Sequence, residues 1–348
     1  MKKFGILIVL SFICIFSCKK VDFVPVVYEW YPLEYQLPIP ENNYYYLEPE
    51  YLGIFFRDSR TGFISVRKEF TLSGRDLFLR TDDSCKSFID LSTLVPGFVS
   101  HMCFVSDSIM YLASKGDNLY KSRNGGLVWE EIDAPDHHDI SNIFSNPNGN
   151  LFVVYEEIQT LWFSNDGGIT WAEQFKGKDP SHEDRTDLHI QFIGATQDTG
   201  FINFEDTLFI STDGGSSWND YLYDSLYGFE EYKFLDFKTV YVHFQDEFYK
   251  STDSGKTFIN ISSLGYYYKW QIISENEFYC SRHYEFSEFT TIFQSSDEFR
   301  TQAMMDFWHS PDDKTYNYRP EVYVITGSKE GYAICSSGKL YKLHPASD

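Results

Sequence analysis

Short apolar runs alternate with polar turns along almost the whole chain. Three kinds of run recur in a fixed order. The first is "GIFF", "MCFV", "NIFS", "QFIG", "FLDF", "WQII". The second is "GFISV", "MYLAS", "LFVVY", "GFINF", "VYVHF", "EFYCS", and the third is "DLFLR", "NLYKS", "TLWFS", "TLFIS", "EFYKS", "TIFQS". Each run is four to five residues long and rich in β-branched and aromatic residues, which predicts strands. Long segments with a 3.6-residue apolar period are absent, so the chain reads as all-β.

After each third run comes a polar stretch, called the box below. The boxes are "TDDSCKSF" (81–88), "SRNGGLVW" (122–129), "SNDGGITW" (164–171), "STDGGSSW" (211–218), "STDSGKTF" (251–258) and a decayed "SSDEFRTQ" (295–302). Their third positions are Asp83, Asn124, Asp166, Asp213, Asp253 and Asp297, separated by 41, 42, 47, 40 and 44 residues. A period near forty, with strand, strand, strand, box, strand in each unit, predicts the four-stranded antiparallel blades of a β-propeller. A seventh unit, "VYVITG", "GYAICS" and "KLYKL", has three strands and no box. It would leave a bare sheet edge, which folded proteins avoid. "VVYEWYP" (26–32) has the make-up to fill that edge, with Trp30 in place of the missing box aromatic. The expectation is a seven-bladed ring closed by an N-terminal strand, with six or eight blades as alternatives because the unit at 295–302 is degenerate.

The pattern S-x-D-x-G-x-[ST]-[WF] resembles the Asp-box, or BNR repeat, of sialidases, sortilin-type receptors, some glucanases and photosystem II assembly-factor propellers. The unit at 190–218 looks most like the last group. The resemblance covers roughly residues 50–345 and implies a propeller. It does not imply one activity, because such folds host many. Each box residue has a structural task. The Asx side chain accepts turn N–H groups, glycine supplies positive φ, and Trp129, Trp171, Trp218 or Phe258 plugs the gap between sheets. A structural role therefore outweighs a ligand-binding one. Cys85 stands where other boxes have glycine, and a distorted first turn is expected.

The first seventeen residues read as a leader. Met1-Lys2-Lys3 is basic, and Phe4–Phe16 is apolar but short for a membrane span. The run ends Ile15-Phe16-Ser17-Cys18, which resembles a bacterial lipoprotein cleavage box. That resemblance implies a signal peptide over 1–17, lipid on Cys18, a linker over 18–25 and a single propeller domain over 26–348. It places the protein in the cell envelope, lipid-anchored, with the outer membrane favoured. Aromatic residues are 19% of the chain, with 26 Tyr and 32 Phe, and the net charge is −22. Loss of Lys2 and Lys3 with the leader makes it −24. Such a surface repels nucleic acid and anionic membranes. Cys85, Cys103, Cys280 and Cys335 remain after the leader and the lipidated cysteine, and they allow three full disulfide pairings.

A function is expected on the face opposite the boxes, where connections are long and varied. Candidate ligand residues there are His182, Arg185, Arg282, Tyr284, Trp308, His309 and Arg319. Arg282 and Tyr284 belong to a stretch read as a long loop, "SRHYEFSEFTT" (281–291), and Trp270 adds a further aromatic. His137-His138 is the nearest approach to a metal pair, but adjacent residues point apart, and no metal or other cofactor is expected. The favoured reading is a non-enzymatic envelope lipoprotein that binds a protein or a glycan, anchored to the membrane by its lipid. The alternatives are an assembly factor for a membrane complex and a glycoside hydrolase of sialidase or glucanase type. Sialidase chemistry needs three clamping arginines. The chain has ten arginines, lacks the early Arg-Ile-Pro signature, and offers only Tyr318-Arg319-Pro320 at the wrong end.

Overall fold

The computed structural model describes residues 28–37, 52–67, 71, 74–114, 117–146, 148–176, 189–193, 198–204, 207–222, 231–244, 247–262, 269–284, 287–296, 303–304, 320–327, 329–335 and 339–345. They form seven four-stranded antiparallel sheets arranged as a seven-bladed β-propeller. The chain enters through β1 (Tyr28–Gln36). Blade one is β2 (Leu52–Phe56), β3 (Gly62–Val66), β4 (Leu77–Thr81) and β5 (Ile89–Asp90). Blade two is β6 (Val99–Phe104), β7 (Met110–Ser114), β8 (Leu119–Ser122) and β9 (Glu130–Ile132). Blade three is β10 (Asn142–Ser145), β11 (Leu151–Tyr155), β12 (Thr160–Ser164) and β13 (Ala172–Lys176). Blade four is β14 (His189–Ile193), β15 (Thr199–Phe204), β16 (Thr207–Ser211) and β17 (Asn219–Leu222). Blade five is β18 (Glu231–Phe234), β19 (Val240–Phe244), β20 (Glu247–Ser251) and β21 (Ile259–Ser262). Blade six is β22 (Lys269–Ser274), β23 (Glu277–Tyr284), β24 (Ser287–Ser295) and β25 (Ala303–Met304). Blade seven is β26 (Pro320–Gly327), β27 (Glu330–Cys335) and β28 (Lys339–Pro345), completed by β1.

Ring closure follows from that last pairing. Tyr28 lies opposite Pro345 and Gln36 opposite Lys339, so β1 runs antiparallel to β28 and covers its edge. Seven is therefore the blade number, not six or eight. The side chain of Trp30 lies outside the described residues.

The second strand of blade three, β11, is apolar at every position because its sheet is buried on both faces. In β11, Leu151, Val153 and Tyr155 pack toward blade two, while Phe152 and Val154 pack toward blade four. The period of two is present, but both phases are hydrophobic. Seven hydrophobic clusters of described residues result, one at each blade-to-blade interface. Phe201 of blade four stacks on Phe234 of blade five with centroids 3.7 Å apart, so the aromatic richness of the chain is spent largely between blades.

Three sequence expectations need correction. "FLDF" (234–237) is not a strand. The first strand of blade five is β18, and Asp236 instead accepts the N–H groups of Lys238 and Thr239 at 2.7 Å each, holding the turn into β19. The stretch 281–291 is not a long loop, because β23 runs on to Tyr284 and β24 starts at Ser287, with Arg282 opposite Thr291 and Tyr284 opposite Ser287. Trp270 is not on an open face. It is 1% exposed, inside the cluster between blades five and six. Cys85, Cys103 and Cys280 are buried, in blades one, two and six, and the side chain of Cys335 lies outside the described residues. Burial pushes the Cys85 and Cys103 thiols up to about 12.

Candidate functional site

The propeller has two faces. One carries the boxes, which join third to fourth strands, together with the turns between first and second strands. The other carries the second-to-third turns and the connections between blades.

On the first face the third box shows the geometry. Asp166 Oδ1 accepts the N–H groups of Ile169 at 3.0 Å and Thr170 at 2.9 Å and the Ser164 hydroxyl at 2.8 Å. Its Oδ2 accepts the Thr170 hydroxyl at 2.6 Å. The Ser164 hydroxyl in turn accepts the Gly168 N–H at 2.8 Å. Asp83, Asp213 and Asp253 repeat this arrangement. In blade two, Asn124 accepts only the Val128 N–H and the Ser122 hydroxyl. These donors hold the carboxyls low. Asp83 is brought down to about 2, chiefly by the Ser87 hydroxyl, and Asp253 to about 2, chiefly by the Thr257 hydroxyl. The Thr170 hydroxyl leads the lowering of Asp166. Acceptor capacity filled this way is directed into the turn, not outward to a ligand.

Two successive left-handed residues complete boxes two to five: Gly125 and Gly126, Gly167 and Gly168, Gly214 and Gly215, Ser254 and Gly255. The first box keeps the same path with Ser84 at φ 65° and Cys85 at φ 63°, and Cys85 N–H still reaches the Thr81 hydroxyl at 2.9 Å. The expected distortion is absent. Cys85 settles in the narrow left-handed basin open to residues with a Cβ, whereas the glycines in its place sit at 81° to 90°.

The carbonyl of the first left-handed residue clasps the preceding blade. Gly125 O accepts from the Arg80 guanidinium, and Gly167 O accepts from Lys121 Nζ at 2.7 Å. Gly214 O accepts from Asn150 Nδ2 at 2.7 Å and Asn146 Nδ2 at 3.2 Å, and Ser254 O accepts from the Tyr221 hydroxyl at 2.8 Å. Four unrelated side-chain types thus make one kind of contact. No fixed sequence position marks these donors, so the sequence did not reveal them. The box aromatics point the same way. Trp171 Nε1 donates to Asp133 O of blade two at 3.1 Å, and Trp129 packs against Phe63 and Phe78 of blade one.

On the second face, the connection from blade two to blade three (133–141) is the best-described candidate surface. Trp171 holds its start. The Tyr155 hydroxyl donates to Asp136 O at 3.2 Å and accepts the Asp136 N–H at 3.3 Å. Ser141 closes its end by accepting the Glu156 N–H at 2.8 Å. The connection is therefore pinned to buried scaffold, while His137 projects with a side chain 97% exposed. His137 Nδ1 lies 3.1 Å from Asp117, and His138 Nδ1 lies 2.5 Å from Asp136. The Asp136 hydrogen bond raises the His138 pKa, and the same bond lowers that of Asp136 against its desolvation. The arrangement offers paired imidazole N–H donors and carboxylate acceptors on a fixed loop. Each histidine has its own carboxylate partner, and no group of three metal-ligating side chains occurs among the described residues.

The other sequence candidates are placed as follows. Arg282 and Tyr284 sit at the tip of the β23–β24 hairpin on this second face; their side chains lie outside the described residues. His182, Arg185, Trp308, His309 and Arg319 lie outside them entirely, as do Asp297 and Cys18. Sequence reading had no signal for His101 of the first strand of blade two, a partly exposed residue whose Nδ1 is buried. His101 of β6 has no partner for Nδ1, and burial lowers its pKa to about 4.

No protein-family model and no curated protein matches the chain. Solved structures do. A structure titled "YCF48 bound to D1 peptide" aligns with a TM-score of 0.59 at 12% identity, covering 92% of this chain and 97% of that one. YCF48 from Cyanidioschyzon merolae gives 0.58 at 14%, covering 92% and 99%. The GH74 xyloglucanase from Xanthomonas campestris gives 0.59 at 14%, covering 90% of this chain but 53% of that one, so the chain spans about half its length. At these identities the likeness is one of fold.

Proposed function

We propose that the protein is a non-enzymatic cell-envelope lipoprotein. Its boxes are structural Asp-boxes of the BNR type, and its second face binds an extended segment of a partner protein. One observation carries the choice of ligand. The peptide-bound neighbour matches this chain as a whole propeller, whereas the hydrolase neighbour needs about twice the chain. The pinned 133–141 connection supports the same reading, because its imidazoles and carboxylates suit the alternating donors and acceptors of a peptide backbone. The leader motif at 15–18 supports lipidation of Cys18, with the propeller following as one domain. Assembly of a membrane complex is a special case in which the bound segment belongs to that complex.

A photo-crosslinking residue at His137, with Ile169 on the box face as control, tests this in native envelopes. The expected product is a protease-sensitive adduct of discrete mass from His137 alone. A protease-resistant, glycosidase-sensitive adduct would overturn the choice of protein over glycan. Hydrolysis of xyloglucan by the purified chain would overturn the non-enzymatic reading. Cys18→Ser should release the protein from the membrane fraction.

A further inference from the structure

The geometry points to the box face as the side that rests on the lipid surface, with Leu127, Val128 and Ile169 entering the headgroup region. This rests on the lipid-anchor reading and deepens it, since an anchor alone does not orient a disc. Three observations meet on this face.

The first is composition at the box tips. In boxes one to five the two left-handed residues turn the next side chain outward. That position holds Lys86, Leu127, Ile169, Ser216 and Lys256 in blades one to five, all exposed. Nothing in the turn demands an apolar residue there, since serine and lysine fill it elsewhere. Yet Ile169 is 76% exposed, Leu127 44% and its neighbour Val128 59%. Val128 also replaces the hydroxyl that donates to the box carboxylate in the other four blades, so blade two gives up a hydrogen bond for an exposed apolar side chain. Apolar tips flanked by Lys86 and Lys256 have the make-up of an interfacial surface, in which alkyl groups enter and amines meet phosphates.

The second is the point of chain entry. Tyr28 lies opposite Pro345, at the end of β28 where a box begins in the other blades, and Gln36 lies at the far end. The chain therefore reaches the ring from the box face. The third is reach. Ten residues separate Tyr28 from Cys18, an extended span of at most about 35 Å. A lipid at Cys18 thus draws the box face toward the bilayer and leaves the second face free for its partner.

The test places an environment-sensitive fluorophore on the acylated full chain at I169C or, as control, at H137C, in zwitterionic phosphatidylethanolamine–phosphatidylcholine vesicles. Labelling of the parent chain gives the background. Accessibility of the Ile169 probe to iodide should fall at least about threefold on membrane binding, with no change at His137. L127S/V128S should reverse much of that protection, and serine already serves at these positions in blade four. Acylation is read separately with an alkyne fatty acid. Equal quenching at both sites on acylated chain overturns the proposal and leaves the anchor standing. Equal quenching with no acylation overturns both. Protection at Ile169 without acylation upholds the orientation and overturns the anchor, and protection at His137 instead overturns the orientation.

Discussion

At the residue scale, single side chains set how stability responds to pH. His101 is held neutral by burial, with its pKa lowered from 6.5 to about 4. The unfolded chain binds its proton first, so stability from this group is present above pH 6.5 and is lost as pH falls toward 4. The loss amounts to roughly 3 kcal/mol. The expected outcome for H101L is a flatter stability profile across that window in urea titrations. The box carboxylates act in a lower window. Asp83 and Asp253 fall from 3.8 to about 2, so their contribution is present above pH 3.8 and disappears as pH falls through 2. His138 moves the other way, since Asp136 raises its pKa. A histidine NMR titration should show His138 titrating above 6.5 and His101 well below it. A repeated pair also belongs to this scale. Arg80 lies over Phe63, Lys121 over Tyr111, Lys250 over Tyr241 and Lys342 over Tyr332, each a direct cross-strand partner. The cation covers a buried ring of the neighbouring strand, and Arg80 and Lys121 are themselves buried.

At the element scale, the box joins a tight turn to a blade interface. Gly168 shows both constraints at once. It sits at φ 90°, and a Cβ there would come within 2.6 Å of Ile132 Cδ1 in the preceding blade. G168A should therefore cost about 1–3 kcal/mol, from left-handed strain plus displaced packing, read as a lower denaturant midpoint. Removing a clasp donor is a milder change: K121M should cost about 1–2 kcal/mol. A double-mutant cycle of K121M with G168A reports whether clasp and turn are coupled. The box was readable because its turn needs particular residue types at fixed offsets. The turns from first to second strand were not read, although Asp58, Ser106 and Asp236 each accept two turn N–H groups there. Their signal is one short polar residue four positions before the strand, too common to stand out. The blade-six loop was misread because 281–291 is polar for a strand, and only pairing with its own hairpin partner makes it one.

At the scale of the whole molecule, closure matters most. Deleting residues 1–37 removes the strand on β28 and Leu37 of the cluster joining blades seven and one. The expected outcome is a ring with a free edge, seen by light scattering as association and as a melting temperature lower by roughly 5 °C or more. A monomeric, equally stable truncated chain would show that β1 is dispensable.

The sequence by itself determined the repeat, the order of strands within each blade and the need for an added strand in blade seven. Those properties are local or periodic, so residue type and spacing carry them. It also marked the positions that hold each box turn. The tertiary structure decided what the repeats do to one another. Which side chain clasps the next box, which aromatics lie between blades and which face the chain enters from depend on neighbours about forty residues away or at the opposite terminus. Arginine, lysine, asparagine and tyrosine satisfy the same carbonyl there, because the interface fixes a position and a polarity but not a residue type.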